Sequence, residues 1–591
     1  MQSLDIFVSR FYSGAALSLL FFCTFSVPSS SAQQATAPPS STAAKPSPPT
    51  AIEEGFPVKD ELVISKCGAC HAPDAKGNMS RISWIRTTPE GWEEAIKRMV
   101  RLNGVPLEPD DARKILRYLS DQHGLAPEEA KPIEYFPEHR MVDEKVPSED
   151  IKRSCVACHA LAKPLSWRRS AEDWKMLVNL HVGLYPTVDF LNFQRFPPPQ
   201  PGDPPPPPGT DLRPPVEQAL AFLAQSGSLH SPEWSEWQAS MRSPRLAGHW
   251  LISGTQPGKG KFFGTMEIEA VPSGGSFSTK TRVTFPADGS ALTETGKSVV
   301  YTAYAWRGRS TADNAGTAPN DPTVTREVMM LSRDQSQMEG RWFWGAYQEF
   351  GMDVAMHRGN AAPTVLGVDI SALKAGSVGN QVRIYGDHFP ADISVADLDF
   401  GAGVAVKKII SHTPDLIQVT VDVAGAAIPG KRDVALQSTL APAAFAVYDH
   451  IDYLKVSPET ALSHLGGEPH AKGYCQFDAI AYANGPDGKQ GTPDDIELGP
   501  VKATWKLEEF VATMDDDDVD FVGSLDPASG LFTPALDGPN PKRRFSRNNY
   551  GDVWVVATFK PAGSAQPVTG RSYLVVAIPQ YMRWDQPEVA K

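Results

Sequence analysis

The chain has 591 residues, more than one hydrophobic core normally organises, so its length predicts three or four domains. Its formal net charge of −13 disfavours a nucleic-acid partner, because proteins of that class present a basic face. Proline is over-represented, with 53 residues against an average usage of roughly 5%, and much of the excess lies in two tracts that are typical of linkers.

The N-terminal residues have the pattern of an export signal. Arg10 precedes the apolar run AALSLLFFCTFSV, residues 15–27, and small residues follow as far as Ala32. This run has the length of a signal-peptide core and is too short to span a bilayer comfortably. We therefore predict a signal peptide over 1–32, with an uncleaved anchor as the alternative, and a flexible linker over 33–51. The mature chain is then periplasmic and is predicted to have no membrane span.

Two short motifs, CGACH at 67–71 and CVACH at 155–159, use four of the six cysteines. In an exported chain a bare Cys-x-x-Cys pair suggests a redox dithiol or a zinc site, but neither explains a histidine directly after both pairs. Covalent c-type haem does, because the cysteines form thioethers and the histidine ligates the iron. The sequence therefore predicts two covalently bound haem c groups, attached at Cys67, Cys70, His71, Cys155, Cys158 and His159.

The segments that follow the two motifs repeat one another. A Ser-Trp-x-Arg run comes after each motif, and each run is followed by a helix start and a second tryptophan, at Trp92 and Trp174. Seven residues after these tryptophans, about two helical turns, stand Met99 and His181. The matched register predicts that Met99 and His181 are the second axial ligands of the two irons.

Other side chains compete for these positions. A methionine or histidine at helical spacing is usually a core residue, so both predictions depend on the repeat. Because methionine ligation raises the haem potential relative to a second imidazole, the predicted ligand sets favour a graded two-step path for electrons. The rivals are Met79 and Met141 for the first iron, Met176 for the second, and His123 and His139, which have no counterpart in the other repeat.

The hydrophobic pattern changes its period along the chain. From residue 52 to about 195 it is helical, which together with the haem motifs predicts an all-α dihaem cytochrome c domain over 52–240, with a Pro-rich loop over 196–215 and a short helical segment over 216–239. From about residue 245 short β-branched and aromatic segments alternate with Gly, Pro, Asn and Asp. We predict three all-β domains, antiparallel sandwiches or barrels of Ig-like type, over 241–360, 361–449 (the Ig-like β-domain) and 450–591.

Outside the haem motifs the sequence has no catalytic signature. It has no P-loop, no nucleophile elbow and no His-Glu-x-x-His, and its one other cysteine after the leader, Cys475, is predicted to be a buried thiol. The loop 484–499 carries several aspartates without EF-hand spacing, which favours a solvated turn over a calcium site. The acidic run 515–518 is interpreted as a solvated hairpin edge. We therefore predict no catalytic residue in this chain.

These motifs are collinear with a known family. The haem half, CGACH…SRISWIRTTPEGWEEAIKRM and CVACH…WRRSAEDWKMLVNLHVG, resembles the α subunit of quinohaemoprotein amine dehydrogenase. The resemblance continues through AGHWLISG and YTAYAWRG to GLFTPALDGPNPKRRFSRNNYGDVWVVAT near the C-terminus. It thus covers nearly all of the chain that follows the linker.

The resemblance implies a dihaem cytochrome c domain followed by three β-domains, with Met99 and His181 matching the distal iron ligands of the family. It implies two partners, a propeller β subunit and a small γ subunit that carries cysteine tryptophylquinone made from its own side chains. Primary amines are then oxidised to aldehyde and ammonia on that quinone, and the haems pass the electrons to a periplasmic acceptor, a cytochrome c or a cupredoxin. The chain itself would be an electron-transfer subunit of an oxidoreductase without its own substrate site.

Two other functions stay open on the sequence alone. The chain could serve a different periplasmic dehydrogenase, with the haem half retained and the partner changed. Alternatively, the β-domains could form a carbohydrate- or surface-binding array, which an exposed aromatic platform on one of them would favour. A neighbouring reading frame for a short chain bearing Cys and Trp would favour the amine dehydrogenase.

Overall fold

The structure is a computed structural model of the full chain. It describes residues 53–134, 146–194, 202, 204–205, 207–272, 275–512 and 516–579. The chain divides into two units, Met1–Glu53 and Glu54–Lys591, and all features below belong to the second. No helix within the described ranges is long and apolar enough to cross a membrane.

The first domain of this unit is helical. Several of its helices begin at a side chain that accepts a hydrogen bond from a free N–H of the first turn, as Asp60 accepts from Val63 N at 2.9 Å. Ser and Thr do the same at other helix starts, including Thr88 and Ser170. The helices are α1 (Glu61–Cys67), α2 (Pro89–Asn103), α3 (Pro109–Gln122), α4 (Pro127–Ala130), α5 (Glu149–Cys155), α6 (Ala162–Leu165), α7 (Ala171–Leu184), α8 (Pro215–Ser226) and α9 (Pro232–Ser240).

The sequence predicts an all-α domain here, but the structure also contains strands. Two short strands, β1 (Ile85–Thr87) and β2 (Trp167–Arg169), pair antiparallel and join its two halves. Strands of this length are too short to show a period of two, so the sequence pattern did not reveal them. The helical segment predicted over 216–239 is also interrupted, because α8 ends before Gly227 and Ser231 caps α9 as a separate helix.

The second domain is a closed, eight-stranded antiparallel barrel. Consecutive strands pair, and the last strand returns to the first, so the barrel has no open edge. Buried side chains alternate along some of the strands, as Phe277, Thr279, Thr281 and Val283 do in one of them, whereas others, such as the strand 324–331, have runs of buried residues. The strands are β3 (Gly248–Gln256), β4 (Gly260–Val271), β5 (Ser276–Thr284), β6 (Ala291–Tyr301), β7 (Ala305–Ala312), β8 (Val324–Leu331), β9 (Gln337–Trp344) and β10 (Phe350–Arg358).

The third domain consists of two four-stranded sheets that share one apolar core. The strand orders are β11-β13-β16-β15 and β12-β18-β17-β14, and only β12 and β18 pair in parallel among the described pairs of this domain. The strands are β11 (Thr364–Val368), β12 (Ala372–Lys374), β13 (Asn380–Asp387), β14 (Leu398–Asp399), β15 (Val404–His412), β16 (Leu416–Val423), β17 (Gly430–Leu436) and β18 (Thr439–Tyr448).

The fourth domain has three sheets around a separate core. Their strand orders are β19-β22-β23, β20-β28-β27-β24 and β21-β26-β25. The strands are β19 (Tyr453–Ser457), β20 (Thr460–His464), β21 (Cys475–Gln476), β22 (Asp478–Ala483), β23 (Ile496–Val501), β24 (Thr504–Glu509), β25 (Gly523–Leu525), β26 (Leu531–Pro534), β27 (Gly551–Phe559) and β28 (Val568–Ala577).

The barrel holds the other domains in place. It shares one hydrophobic core with the helical domain, where Trp237 Nε1 donates to the carbonyl O of Thr302 at 3.0 Å. Lys261 of β4 donates to three carbonyl oxygens of the third domain. Asp478 of the fourth domain accepts from Gly258 N at 3.0 Å. The predicted succession of a helix-rich domain and three mostly β-domains is therefore confirmed.

Candidate haem sites

The first Cys-x-x-Cys-His motif lies at the C-terminal end of α1. Cys67 is the last residue of the helix and is half-buried, whereas Cys70 is exposed. His71 Nδ1 donates to the carbonyl O of Ser80 at 2.7 Å. This hydrogen bond fixes the tautomer of the ring, as the outer hydrogen bond of a metal-ligating histidine normally does. The other nitrogen, Nε2, is thereby left as an electron-pair donor for iron.

The second motif is placed in the same way on α5. Cys155 ends the helix and is half-buried, and Cys158 is exposed. His159 Nδ1 donates to the carbonyl O of Ala160 at 3.1 Å. None of the four motif cysteines forms a disulfide, and Cys475 is a buried free thiol, as predicted.

The state of the thiols disfavours a redox dithiol. Burial raises the pKa of the Cys155 thiol to about 12. Burial also raises the pKa of the Cys67 thiol, and the negative charge that Cys70 would carry as a thiolate raises it further. A redox dithiol needs a lowered pKa, because the thiolate is its reactive form.

The positions of the possible ligand atoms disfavour zinc. A zinc site requires three or four Cys, His or carboxylate ligands that converge on one point. Among the described residues, the one group of three or more such side chains with converging ligand atoms lies in the fourth domain and not at either motif. Thiols and an imidazole that do not converge fit a porphyrin, which is bonded at its edge by sulfur and at its iron by nitrogen.

The two predicted distal ligands lie in the second halves of matching helices. Met99 in α2 is half-buried, and Asn103 Nδ2 lies 3.6 Å from its Sδ. His181 in α7 donates from Nδ1 to the carbonyl O of Leu177 at 2.8 Å, which leaves its Nε2 for a metal. Exposed apolar side chains near both residues suit the faces of a porphyrin, namely Val100 and Leu102 on α2 and Leu180 and Leu184 on α7.

The rival ligands have other surroundings. Met79 is fully buried in the hydrophobic core. Met176 is half-buried, and its Sδ accepts from Arg81 Nη1 at 3.1 Å. His123 is fully buried among aromatic rings. The assignment of Met99 and His181 remains a prediction from the repeat. Two further rivals lie outside the described residues, Met141 and His139.

The structure extends the repeat to a third helix in each half. Helix α3 packs against α1 and α2, and α8 packs against α5 and α7. Trp92 Nε1 donates at 2.9 Å to the carbonyl O of His123, directly after α3, and Trp174 Nε1 donates at 3.1 Å to that of Gly227, directly after α8. The same two carbonyls also accept from the backbone N–H just before α2 and α7. Each motif therefore belongs to a three-helix unit closed by equivalent hydrogen bonds.

The sequence did not reveal that α3 and α8 are equivalent, although it predicted a helical segment that contains α8. The connection before α3 spans residues 104–108, whereas the connection before α8 spans 185–214 and contains the Pro-rich tract. The equivalent helices are therefore out of step along the chain. A proline at each helix start, Pro109 and Pro215, was the available signal.

The two halves meet at a buried ion cluster. Arg86 and Arg168 lie directly opposite each other in the β1–β2 pair. Both bind Glu129 of α4, Arg86 through two nitrogens at 2.8 and 2.9 Å and Arg168 through Nε at 3.2 Å. Burial opposes ionisation of Glu129, but the hydrogen bonds and charge of Arg86, aided by Arg168, lower its pKa to about 2. The Ser-Trp-x-Arg alignment made Arg169 the counterpart of Arg86, and the structure corrects this register by one residue.

The helix that carries Met99 is also fixed to the barrel by charge. Glu90 in the first turn of α2 forms a buried ion pair with Arg307 of β7, and Arg326 of β8 lies 3.5 Å from the same carboxylate. Burial opposes ionisation of Glu90, but the charge of Arg307 lowers its pKa to about 2. The orientation of α2 thus depends on the barrel as well as on the helical domain.

The acidic segments of the fourth domain bind donors of their own chain. In the loop 484–499, Asp495 accepts hydrogen bonds from the backbone N–H groups of Gly485 and Thr492. The hydrogen bond from the Tyr453 hydroxyl, aided by these N–H groups, lowers the pKa of Asp495 to about 2. The sequence predicts a solvated hairpin edge over 515–518, but Asp518 is buried and ion-paired with Arg543, whereas Asp515 lies outside the described residues. A buried arginine attracts this part of the run into the domain.

Comparison with known proteins accounts for all four domains. Residues 58–196 match the family model "Quinohemoprotein amine dehydrogenase A, alpha subunit, haem binding". Residues 243–359, 362–449 and 454–589 match the alpha subunit domains II, III and IV of quinohemoprotein amine dehydrogenase. The four models together describe a haem-binding subunit of an oxidoreductase complex. The chain belongs to the family of quinohemoprotein amine dehydrogenase alpha subunits, so the resemblance seen in the sequence is confirmed.

Other comparisons add no functional argument. No curated protein matches the chain. Among solved structures, a redesigned β-barrel is 16% identical over 20% of this chain and 92% of that chain, with a TM-score of 0.16. Drosophila N-cadherin EC1-4 is 9% identical over 58% of this chain and 97% of that chain, with a TM-score of 0.14. Scores this low support no inference about fold or function.

Proposed function

We propose that this chain is the dihaem electron-transfer subunit of a periplasmic amine dehydrogenase. The observation that carries the proposal is the duplicated Cys-x-x-Cys-His unit, with three helices and equivalent hydrogen bonds in each half, in a chain of this family. Two such units side by side suit a protein that passes electrons from one carrier to another. The substrate of the complex is a primary amine, which a partner subunit oxidises to aldehyde and ammonia.

The ligands follow from the two units. Cys67 and Cys70 attach one haem c covalently, and Cys155 and Cys158 attach the other. When bound, each haem supplies a one-electron couple whose potential depends on its axial ligands. In this proposal His71 and Met99 would hold one iron, and His159 and His181 would hold the other.

The residues of this chain orient those ligands. The carbonyl oxygens of Ser80 and Leu177 hold His71 and His181 in the tautomer that presents Nε2 to iron. A sulfur ligand from Met99 would raise the potential of the first haem relative to a haem held by two imidazoles.

The partners are those of the family. A small γ subunit carries cysteine tryptophylquinone and delivers electrons to this chain, a propeller β subunit completes the complex, and a cytochrome c or cupredoxin accepts the electrons in the periplasm. Export rests on the predicted signal peptide at 1–32, which lies outside the described residues. The sequence signals in this chain support a role in electron transfer and assembly, with amine chemistry in the partner.

A reconstitution experiment tests this function. The haem-loaded chain alone should show no turnover with a primary amine such as butylamine, yet dithionite should reduce both haems. Addition of the partner subunits should make haem reduction depend on the amine, which is measured as the rise of the reduced α-band after mixing. Amine turnover by the isolated chain, or no haem reduction in the assembled complex, contradicts the proposal.

A further inference from the structure

One loop of the fourth domain presents an aromatic side chain to solvent. Residues 536–550, the Phe545 loop, connect β26 to β27. Phe545 is 89% exposed, more than any other large hydrophobic side chain among the described residues. Leu536 and Tyr550, at the two ends of the loop, are 63% and 45% exposed. The loop therefore carries a small apolar surface with a phenyl ring at its tip.

The loop is anchored to the fourth domain by a buried arginine. The Arg543 side chain is fully buried and ion-paired with Asp517 and Asp518. It also donates to the carbonyl oxygens of Asn548 at 2.9 Å and Tyr550 at 2.8 Å. A loop anchored at its centre in this way loses little conformational entropy when it binds another molecule.

The backbone at the tip is strained. Phe545 and Ser546 have φ values of 59° and 51°, in the left-handed region that non-glycine residues seldom adopt. Strain of this kind persists only where the surrounding structure enforces it, and it is concentrated at binding and switch sites. Here it turns an aromatic ring outward, where the ring gains no burial within the described part of the chain.

The unpaired charges around the Phe545 ring are positive. Arg543 and Arg547 are paired with Asp517 and Asp518, but the exposed Lys542 and Arg544 form no ion pair among the described residues. The Arg544 guanidinium lies 5.0 Å from the centre of the Phe545 ring. The chain as a whole has a net charge of −13, whereas the tip of this loop is positively charged and carries an aromatic ring.

We propose that the Phe545 loop is a docking point for another subunit of the complex, whose surface offers an apolar pocket rimmed by carboxylates. Aromatic and arginine side chains at the centre of an interface contribute most of its binding free energy, and opposite charges steer the approach. The proposal rests on the proposed function only in assuming that partner subunits exist.

Two other occupants fit the structure less well. An external electron acceptor has to approach a haem, whereas the loop lies in a domain without a haem motif. A second copy of this chain would need an apolar pocket for the ring. The two wider clefts among the described residues, one beside Lys131 and Asp353 and one beside Arg432, are lined mainly by charged and small residues, and the cleft beside Ile133 and Met330, which has an apolar lining, is much narrower.

The test compares three variants of the full chain, produced with haem and mixed with the propeller and quinone-bearing subunits. Phe545→Ala should weaken subunit association about 30-fold, the loss typical of an interface hot spot. Val378→Ala, at an equally apolar and 74% exposed position in the third domain, is the matched control and should bind as the parent does. Lys542→Glu combined with Arg544→Glu should weaken association and reverse its dependence on salt.

Each outcome decides the proposal. Association should be measured by sedimentation, and circular dichroism should show that the variants remain folded. If the Phe545 variant associates with the partner subunits as the parent does, the proposal is overturned. It is also overturned if the only effect of the substitution is to dissociate a dimer formed by two copies of this chain. Intact assembly with slower electron exit assigns the loop to the acceptor and also overturns it. Haem content and amine-dependent haem reduction are measured on the same samples, so failure of the electron-transfer function is recognised separately.

Discussion

His71 and His181 use the same hydrogen bond in different local structures. His71 lies in a loop after α1, and His181 lies inside α7, yet each donates from Nδ1 to a backbone carbonyl within 2.8 Å. A helical histidine reaches the carbonyl four residues earlier, so the helix itself orients the ring. Met99, at the matching position of α2, has no such hydrogen-bonded ring, so its orientation depends on the packing of its half-buried side chain.

The distal ligand of the first haem can be tested at this scale. Met99→Ala should abolish the near-infrared sulfur-to-iron band of the ferric chain, because it removes the sulfur ligand, and should lower the potential of one haem. His181→Ala should leave that band unchanged. Near-infrared absorption and redox titration of the two variants give the comparison. Loss of the band on substitution of Met176 or Met141 would show that the repeat assigned the wrong methionine.

Local signals explain which site residues the sequence could reveal. The Cys-x-x-Cys-His motifs, the helix caps and the spacing from Trp92 to Met99 are all read within about ten residues. The Arg86–Glu129–Arg168 cluster joins residues far apart in the chain, so no local pattern predicts it. The outward turn of Phe545 depends on the burial of Arg543 against Asp517 and Asp518, which is likewise a tertiary contact.

At the scale of elements, strand period predicted the β-domains but not their closure. Alternating burial in β5 and β6 is visible in the sequence, whereas the pairing of β10 with β3 is not. The barrel also encloses acids that the alternation would not suggest. Glu294 of β6 accepts from Thr325 Oγ1 at 3.0 Å, and Glu327 of β8 accepts from Trp306 Nε1 at 2.7 Å.

These enclosed acids predict a pH dependence of barrel stability. Burial, and next the neighbouring Glu327, raises the pKa of Glu294 from 4.5 to about 8. The folded barrel therefore favours the protonated acid, so this stabilisation is complete below pH 4.5 and is lost as pH rises to about 8. The free energy of unfolding should fall by a few kcal/mol over this range, since one pKa unit is about 1.4 kcal/mol.

Glu294→Gln should reduce this dependence, because the amide cannot ionise, whereas Glu134 and Glu327, whose pKa values burial also raises, retain part of it. The exposed Glu269→Gln on β4 is the control and should keep the parental profile. Denaturant unfolding followed by tryptophan fluorescence from pH 4.5 to pH 8 measures both. A variant whose profile runs parallel to that of the parent chain would exclude Glu294 as the titrating group.

At the scale of the whole molecule, two haems matter only if electrons pass through both. Replacing Cys155 and Cys158 together by Ala should leave one haem per chain in pyridine haemochrome analysis. In the assembled complex, amine should still reduce the quinone, but transfer to the external acceptor should fall at least tenfold. The far-ultraviolet spectrum should first show an intact fold. Two haems in this variant, or an undiminished rate to the acceptor, would contradict the two-step path.

The closed barrel has a mechanical consequence for this path. A sheet that hydrogen-bonds to itself resists shear, and here it fastens the helical domain through Glu90 and Arg307 and the fourth domain through Gly258 and Asp478. Electron tunnelling slows steeply with each added ångström, so a carrier benefits from a frame that does not flex when a neighbour arrives. The closed barrel thus ties α2 and the fourth domain to one sheet, so in the proposed two-haem path the arrival of a partner should leave the position of α2 relative to the barrel unchanged.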